Sequence, residues 1–239
     1  MNFLAMETVF DQCSVAIIDD KQNILAASTI TGKRQQSQQI LPMIEASLHQ
    51  AGLTLAQMSA LIFNQGPGAF SGIRINTAVT QALAVAHDLP CVGVSSLQAI
   101  AQSAFEQFGI THLYSALDAR MQQVYFGEYQ LERKSQIMAP NLANDWASEA
   151  SKLFDSSGER LLDYEAKTAL NFPLCGNGAP FLALHPDQAI FAEINPDAVI
   201  IAKLGAAKFM ATGGVNAELA LPNYLRNHAW KTLKEQGKA

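Results

Sequence analysis

Two acidic residues, one glycine-rich loop and one nearby arginine are the chemistry-bearing positions in this sequence. Glu7 and Asp118 each end an apolar run that reads as a strand. If the chain folds as two lobes, two such carboxylates face one cleft and can hold Mg²⁺ through water. Thr8 and Arg120 lie beside them as further candidate cleft residues. The stretch Gly66-Pro67-Gly68-Ala69-Phe70-Ser71-Gly72 follows a strand and opens a helix, a setting where free N–H groups attract anions. Its GxGxxxG spacing fits neither a Walker loop nor GxGxxG, and Pro67 removes one N–H. A sharp turn whose glycines allow close backbone approach explains it as well. Arg74 lies one turn into the helix, available to an acidic group or to solvent.

The hairpins next to the two carboxylates lack glycine. Thr8-Val9-Phe10-Asp11 and Ala119-Arg120-Met121-Gln122 carry bulky residues where a backbone wrapping phosphates needs small ones. Each carboxylate also has a structural reading, as a strand-end cap or, for Asp118, an ion pair with Arg120. The five histidines, at 49, 87, 112, 185 and 228, form no i,i+4 pair and no HExxH, so a metal site is not expected. Cys13, Cys91 and Cys175 are far apart without CxxC, which reads as reduced thiols. GxSxG is absent, and no Ser, Cys or His arrangement supports a peptidase.

These positions must be held by ordered elements. The chain has 239 residues, 49% of them hydrophobic, enough for a sizeable core. Runs at 3–7, 13–18 and 23–30 read as an antiparallel meander. Helical spacing follows over 35–51, with Ile40, Leu41, Ile44 and Leu48 recurring and Pro42 inside. A strand at 60–65, a helix at 71–88, a strand at 91–94 and a helix at 96–108 capped by Ser95 complete βββαβαβα. Residues 113–117 and 124–129 then repeat the opening faintly. With Glu7 set on Asp118, Cys13, Val15 and Ile17 fall on Val124, Phe126 and Glu128 without a gap, as two lobes built on one plan would require. Further on, a helix is expected at 146–154, a strand at 172–176 and a helix at 197–210. The lobes are expected at 1–109 and 110–239, with the C-terminal segment able to pack back on the first.

Charge narrows the function. Sixteen basic against 21 acidic residues give −5, which excludes a chain that grips nucleic acid unaided. The last eighteen residues are locally +3, through Arg226, Lys231, Lys234 and Lys238 against Glu235. No apolar run spans a membrane, and Met1–Glu7 lacks a basic leader, so a cytoplasmic protein is expected. From 35 to 117 only Glu45, Arg74, Asp88 and Glu106 are charged. The helix from 75 to 86 has no charge and is studded with Ala78, Ala82, Ala84 and Ala86. A helix apolar all round must be covered all round. The 35–51 helix of its own lobe could cover it, or the window could simply carry glutamine in place of charge; a partner protein lying on the helix is the expectation.

The sequence resembles the TsaB (YeaZ) family of tRNA threonylcarbamoyladenosine biosynthesis. The resemblance runs through Leu4-Ala5-Met6-Glu7-Thr8, Ile40-Leu41-Pro42-Met43-Ile44, the glycine loop with Ile73-Arg74-Ile75, Gly93-Val94-Ser95-Ser96-Leu97, Leu117-Asp118-Ala119-Arg120 and Pro222-Asn223-Tyr224-Leu225-Arg226. It implies an α/β fold of two actin/hexokinase/Hsp70-like (ribonuclease H-like) lobes with a degenerate nucleotide cleft. It implies a non-catalytic subunit that pairs with TsaD, the metal-holding transferase, joined by the ATPase TsaE. A homodimer in isolation and tRNA contact only through the complex follow from the same likeness. No cofactor is expected on this chain alone, with a nucleotide allowed for at the interface of the complex. The family's helical bundle places the partner interface on Ile40, Met43, Ile44, Ser47, Ile75, Ala78, Val79, Ala82 and Val85. The chain departs from the family in Glu7, where Asp is usual, in Asn64-Gln65, where Gly-Arg is usual, and in Ala69 and Ser71. These departures count against phosphate contact. The rival is an ATP-dependent phosphotransferase of the actin/hexokinase superfamily acting at Glu7 and Asp118.

Overall fold

A computed structural model describes residues 1–32, 35–131, 158–164, 170–182 and 187–226. The expected helix at 146–154 and the lysines of the tail lie outside them.

The first sheet contains β1 (Asn2–Glu7), β2 (Gln12–Asp19), β3 (Ile24–Thr31), β4 (Ala60–Gly66) and β5 (Cys91–Ser95). Its order is β3-β2-β1-β4-β5. The first three strands are antiparallel, and β4 and β5 join parallel to β1. Both faces are apolar, so the central strands β1 and β4 are buried almost throughout. Leu4, Met6, Val15, Ile17, Leu61 and Phe63 point to one face. There α1 (Gln36–Ala51) and α2 (Phe70–His87) cover them. Phe3, Ala5, Ala16, Ile18, Ile62 and Val92 point to the other, under α4 (Ala198–Thr212). Asp197 caps α4 by accepting from Val199 N–H at 2.9 Å and Ile200 N–H at 3.2 Å.

The second sheet has the order β10-β9-β6-β7-β8. Its strands are β6 (His112–Arg120), β7 (Gln123–Gln130), β8 (Arg160–Asp163), β9 (Leu174–Cys175) and β10 (Ile190–Phe191). The helix α3 (Ser96–Phe108) follows β5 in sequence but packs Leu97, Ile100 and Ala104 on Leu113, Leu117 and Cys175 of the second sheet. Ser95 caps it, accepting from Leu97 N–H at 3.1 Å. The result is an α/β fold built on two five-stranded sheets with helices packed on their faces. The helices exchange between the sheets: α3 faces the second, and α4 returns to the first. No helix among the described residues is long and apolar enough to cross a membrane.

The faint repeat is corrected in register. Glu7 pairs with Ser14, whereas Asp118 pairs with Val124, one position off the gapless alignment. The cause is the connections. In the second lobe pairing continues through an irregularity to Arg120 opposite Gln123, and a tight turn at Met121-Gln122 closes it. Arg120, Met121 and Gln122 all have positive φ, between 54° and 61°. In the first lobe the link after Glu7 is a wider loop that folds onto α2.

Candidate functional site: a filled cleft and a bare helix face

Glu7 ends β1 with no exposed surface. One carboxylate oxygen accepts from the N–H groups of Val9 and Phe10, the latter at 2.8 Å. The other accepts from Asn64 Nδ2 at 3.2 Å. Burial pushes the Glu7 carboxyl up to about 8; the two backbone N–H bonds and Asn64 oppose the shift without cancelling it. Near neutral pH this group is therefore mostly protonated, a poor cation ligand with its oxygens already engaged.

Asn64, at the end of β4, organises the rest. Its Oδ1 accepts from Gly66 N–H at 2.9 Å and Ser96 Oγ at 2.7 Å. Its backbone oxygen accepts from Asn76 Nδ2 at 3.1 Å, and Asn76 also donates to Met6 O at 3.1 Å. The sequence reading took Asn64 only as a departure from the family and Ser96 only as part of a motif, and did not name Asn76. The signal available was a polar Asn64-Gln65 pair closing an otherwise apolar strand.

The glycine loop contains a cis Gly66–Pro67 bond and leads into α2. A Cβ on Gly72 would stand 2.1 Å from Thr8 O, and one on Gly68 would stand 2.4 Å from a Val9 methyl. Thr8 Oγ1 donates to Gly72 O at 2.7 Å. The first turn of α2 is thus pressed against the β1–β2 loop, and the glycines serve that approach. Phe10, flagged as too bulky for a nucleotide hairpin, is buried with Leu97 and Leu117 between the lobes.

Asp118 carries the ion-pair reading. Its Oδ2 lies 2.8 Å from Arg120, and its Oδ1 accepts from Arg120 N–H and the Tyr164 hydroxyl, each at 2.8 Å. Asp118 and Glu7 are each committed to partners in their own lobe. Among the described residues no group of three His, Cys, Asp or Glu side chains could hold a metal.

The nine expected interface residues separate into two sets. Ile40, Met43, Ile44 and Ser47 are 1–6% exposed. The first three belong to the core of their own lobe. Their placement on a partner-facing surface is corrected: spacing of i, i+3, i+4 and i+7 is the stripe a helix turns toward its own sheet. The outer side of α1 instead shows Leu41, 54% exposed. On α2, Ile75 and Val79 are half-buried against the core, whereas Ala78, Ala82 and Val85 are exposed, Val85 by 76%. With Arg74 they run along one side of the helix. A different side, carrying Ile73, Asn76, Thr77, Thr80 and Ala84, is buried. Neither α1 nor any other described element covers the outer stripe.

Known proteins place this arrangement. A family model described as "TsaD: tRNA N6-adenosine threonylcarbamoyltransferase" matches residues 23–234. The TsaB protein of Escherichia coli K12 is 32% identical over 242 residues, covering 98% of both chains. That of Haemophilus influenzae Rd is 30% identical, covering 98% of this chain and 97% of its own. Both bear the name tRNA threonylcarbamoyladenosine biosynthesis protein TsaB. Among solved structures, YeaZ from Pseudomonas aeruginosa superposes with a TM-score of 0.78 at 31% identity, over 94% of this chain and 99% of its own. The chain belongs to the TsaB (YeaZ) family of tRNA threonylcarbamoyladenosine biosynthesis, within the broader family that the TsaD model describes.

Proposed function

We propose that this chain is a non-catalytic partner subunit, required for threonylcarbamoyl transfer to the adenosine beside the anticodon of tRNA and acting by pairing with a TsaD-like transferase in the cytoplasm. One observation carries the reading: α2 packs its Gly72 turn against its own β1–β2 loop and is bare along its outer side. The bare side offers an uncharged stripe of Ala78, Ala82 and Val85 on which another helix can lie closely. Exposed Leu41 on α1 widens the docking surface. A specific interface of this kind buries ~800 Å² on each side. Catalysis then belongs to the partner, with a TsaE-like ATPase joining the complex and tRNA reached through it. A nucleotide at the heteromeric interface and a homodimer in the partner's absence are consistent with the same surface.

Ala82→Arg tests it. Ala82 is exposed in the isolated chain, so the variant keeps the parent's thermal stability to within ~0.5 kcal/mol. Docking would bury the new charge unpaired, and affinity for the TsaD-like subunit falls by roughly 100-fold or more. Copurification of the variant with that subunit at parental yield refutes the docking surface.

A further inference from the structure

Residues 221–226 connect to neither sheet as a strand, yet they touch both lobes. Just before them, Ala220 is buried in the first core, and its oxygen accepts from Gln81 Nε2 of α2 at 3.1 Å. Asn223 N–H donates to Gln65 O at the end of β4, at 2.8 Å. Tyr224 sets its hydroxyl 3.2 Å from Arg74 Nε, and its ring lies beside Phe70, centroids 6.1 Å apart. All these anchors belong to the first lobe. Three residues past Asn223 the chain reaches the second. Arg226 Nη2 donates to Arg120 O at 3.2 Å and to Gln123 Oε1 at 2.8 Å, and Nη1 lies 3.0 Å from Met121 Sδ.

From these contacts we infer that residues 221–226 are a latch fixing one lobe to the other, with Arg226 as its catch on the β6–β7 turn. Three observations carry this. The tie is short: three residues of backbone span at most ~11 Å, and beyond that only the Arg226 side chain itself reaches to the second lobe. The catch is shaped for its seat. The left-handed backbone at 120–122 and the Gln123 side chain present two oxygens to one guanidinium nitrogen, and a planar guanidinium holds several acceptors with less loss of freedom than a lysine would. The first-lobe end is anchored through α2, by Arg74 and Gln81 together, so the latch joins that helix to the second sheet. The inference concerns the isolated chain and does not rest on the docking role.

The test uses the full chain with spin labels at Gln50→Cys on α1 and Gln130→Cys on β7, both exposed positions; Cys13, Cys91 and Cys175 are buried. Electron–electron distance measurements are made with and without Arg226→Ala, and amide exchange is followed at Asn223. A latch predicts a broadened lobe-to-lobe distance distribution and exchange at Asn223 about tenfold faster, since losing the distal contacts frees the whole strap. Gln123→Ala, which removes an acceptor without touching the strap, gives the same two changes in weaker form and serves if Arg226→Ala does not fold. An unchanged distance distribution overturns the latch. So does faster exchange confined to residues 120–125 with Asn223 still protected, which reduces Arg226 to a local turn cap.

Discussion

Replacing Glu7 with Gln separates a buried acid from a cleft ligand by its effect on stability against pH. In the unfolded chain the carboxyl titrates at its ordinary 4.5, and in the folded chain at about 8. Below pH 4.5 both states are protonated and the pair is indifferent to pH. Above 4.5 the unfolded chain gives up its proton while the folded chain keeps it. The unfolded state is then favoured, and stability falls as pH rises, levelling off above pH 8. From pH 5 to pH 8 the loss comes to about 3–4 kcal/mol at ~1.36 kcal/mol per pH unit. Glu7→Gln carries a permanently neutral amide of the same shape and lacks this slope. Every other titrating group is common to the two proteins, so only Glu7 remains in the difference between their urea-denaturation free energies. The variant's advantage over the parent should grow by that 3–4 kcal/mol between pH 5 and pH 8. Any fixed cost of placing the amide near Asn64 shifts the whole curve and leaves its slope alone. Parallel curves within about 0.5 kcal/mol across this range would show that Glu7 is ionised in the folded protein, and the account of a filled cleft would fail with it.

Gly72→Ala drives a methyl toward Thr8 O, where a Cβ would stand 2.1 Å away, so backbone must move; a cost of ~2–3 kcal/mol lowers Tm by roughly 5–10 °C, and an unchanged Tm means the β1–β2 loop does not seat on α2. Asp197→Ala removes the acceptor that caps α4 and lowers Tm by roughly 2–4 °C, for ~1 kcal/mol, in a thermal melt; no loss would show the cap to be idle.

The succession of strands in the first lobe was open to reading because each strand is an apolar run broken by turns; their order across the sheet was not, since spacing does not say which strands pair. The bounds of α2 were readable to within one residue at each end, from the glycines before it and Pro90 after it. Which side of a helix meets which neighbour was harder. On α1 the apolar stripe was assigned to a partner, yet its own sheet claims it, because periodicity gives a face but not the identity of what the face meets. On α2 the partner-facing reading relied on missing charge, and Ala78, Ala82 and Val85 do emerge on the uncovered side. The buried polar cluster of Glu7, Asn64, Asn76 and Ser96 draws on β1, β4, α2 and α3, and no spacing rule links residues so far apart. Arg226 was noticed as one charge of a basic tail; its seat on the β6–β7 turn depends on two elements a hundred residues apart.

The return of α4 to the first sheet has a consequence during synthesis. Among the described residues, most of the cover for Phe3, Ala5, Ile18 and Ile62 on that face comes from Ala198–Thr212, which leaves the ribosome late. The N-terminal half therefore emerges as a sheet with one greasy side, for the time it takes to translate more than a hundred further codons. A ribosome stalled before codon 198 would release a chain prone to sticking to itself, and a cut between α3 and β6 would part each sheet from a helix that covers it.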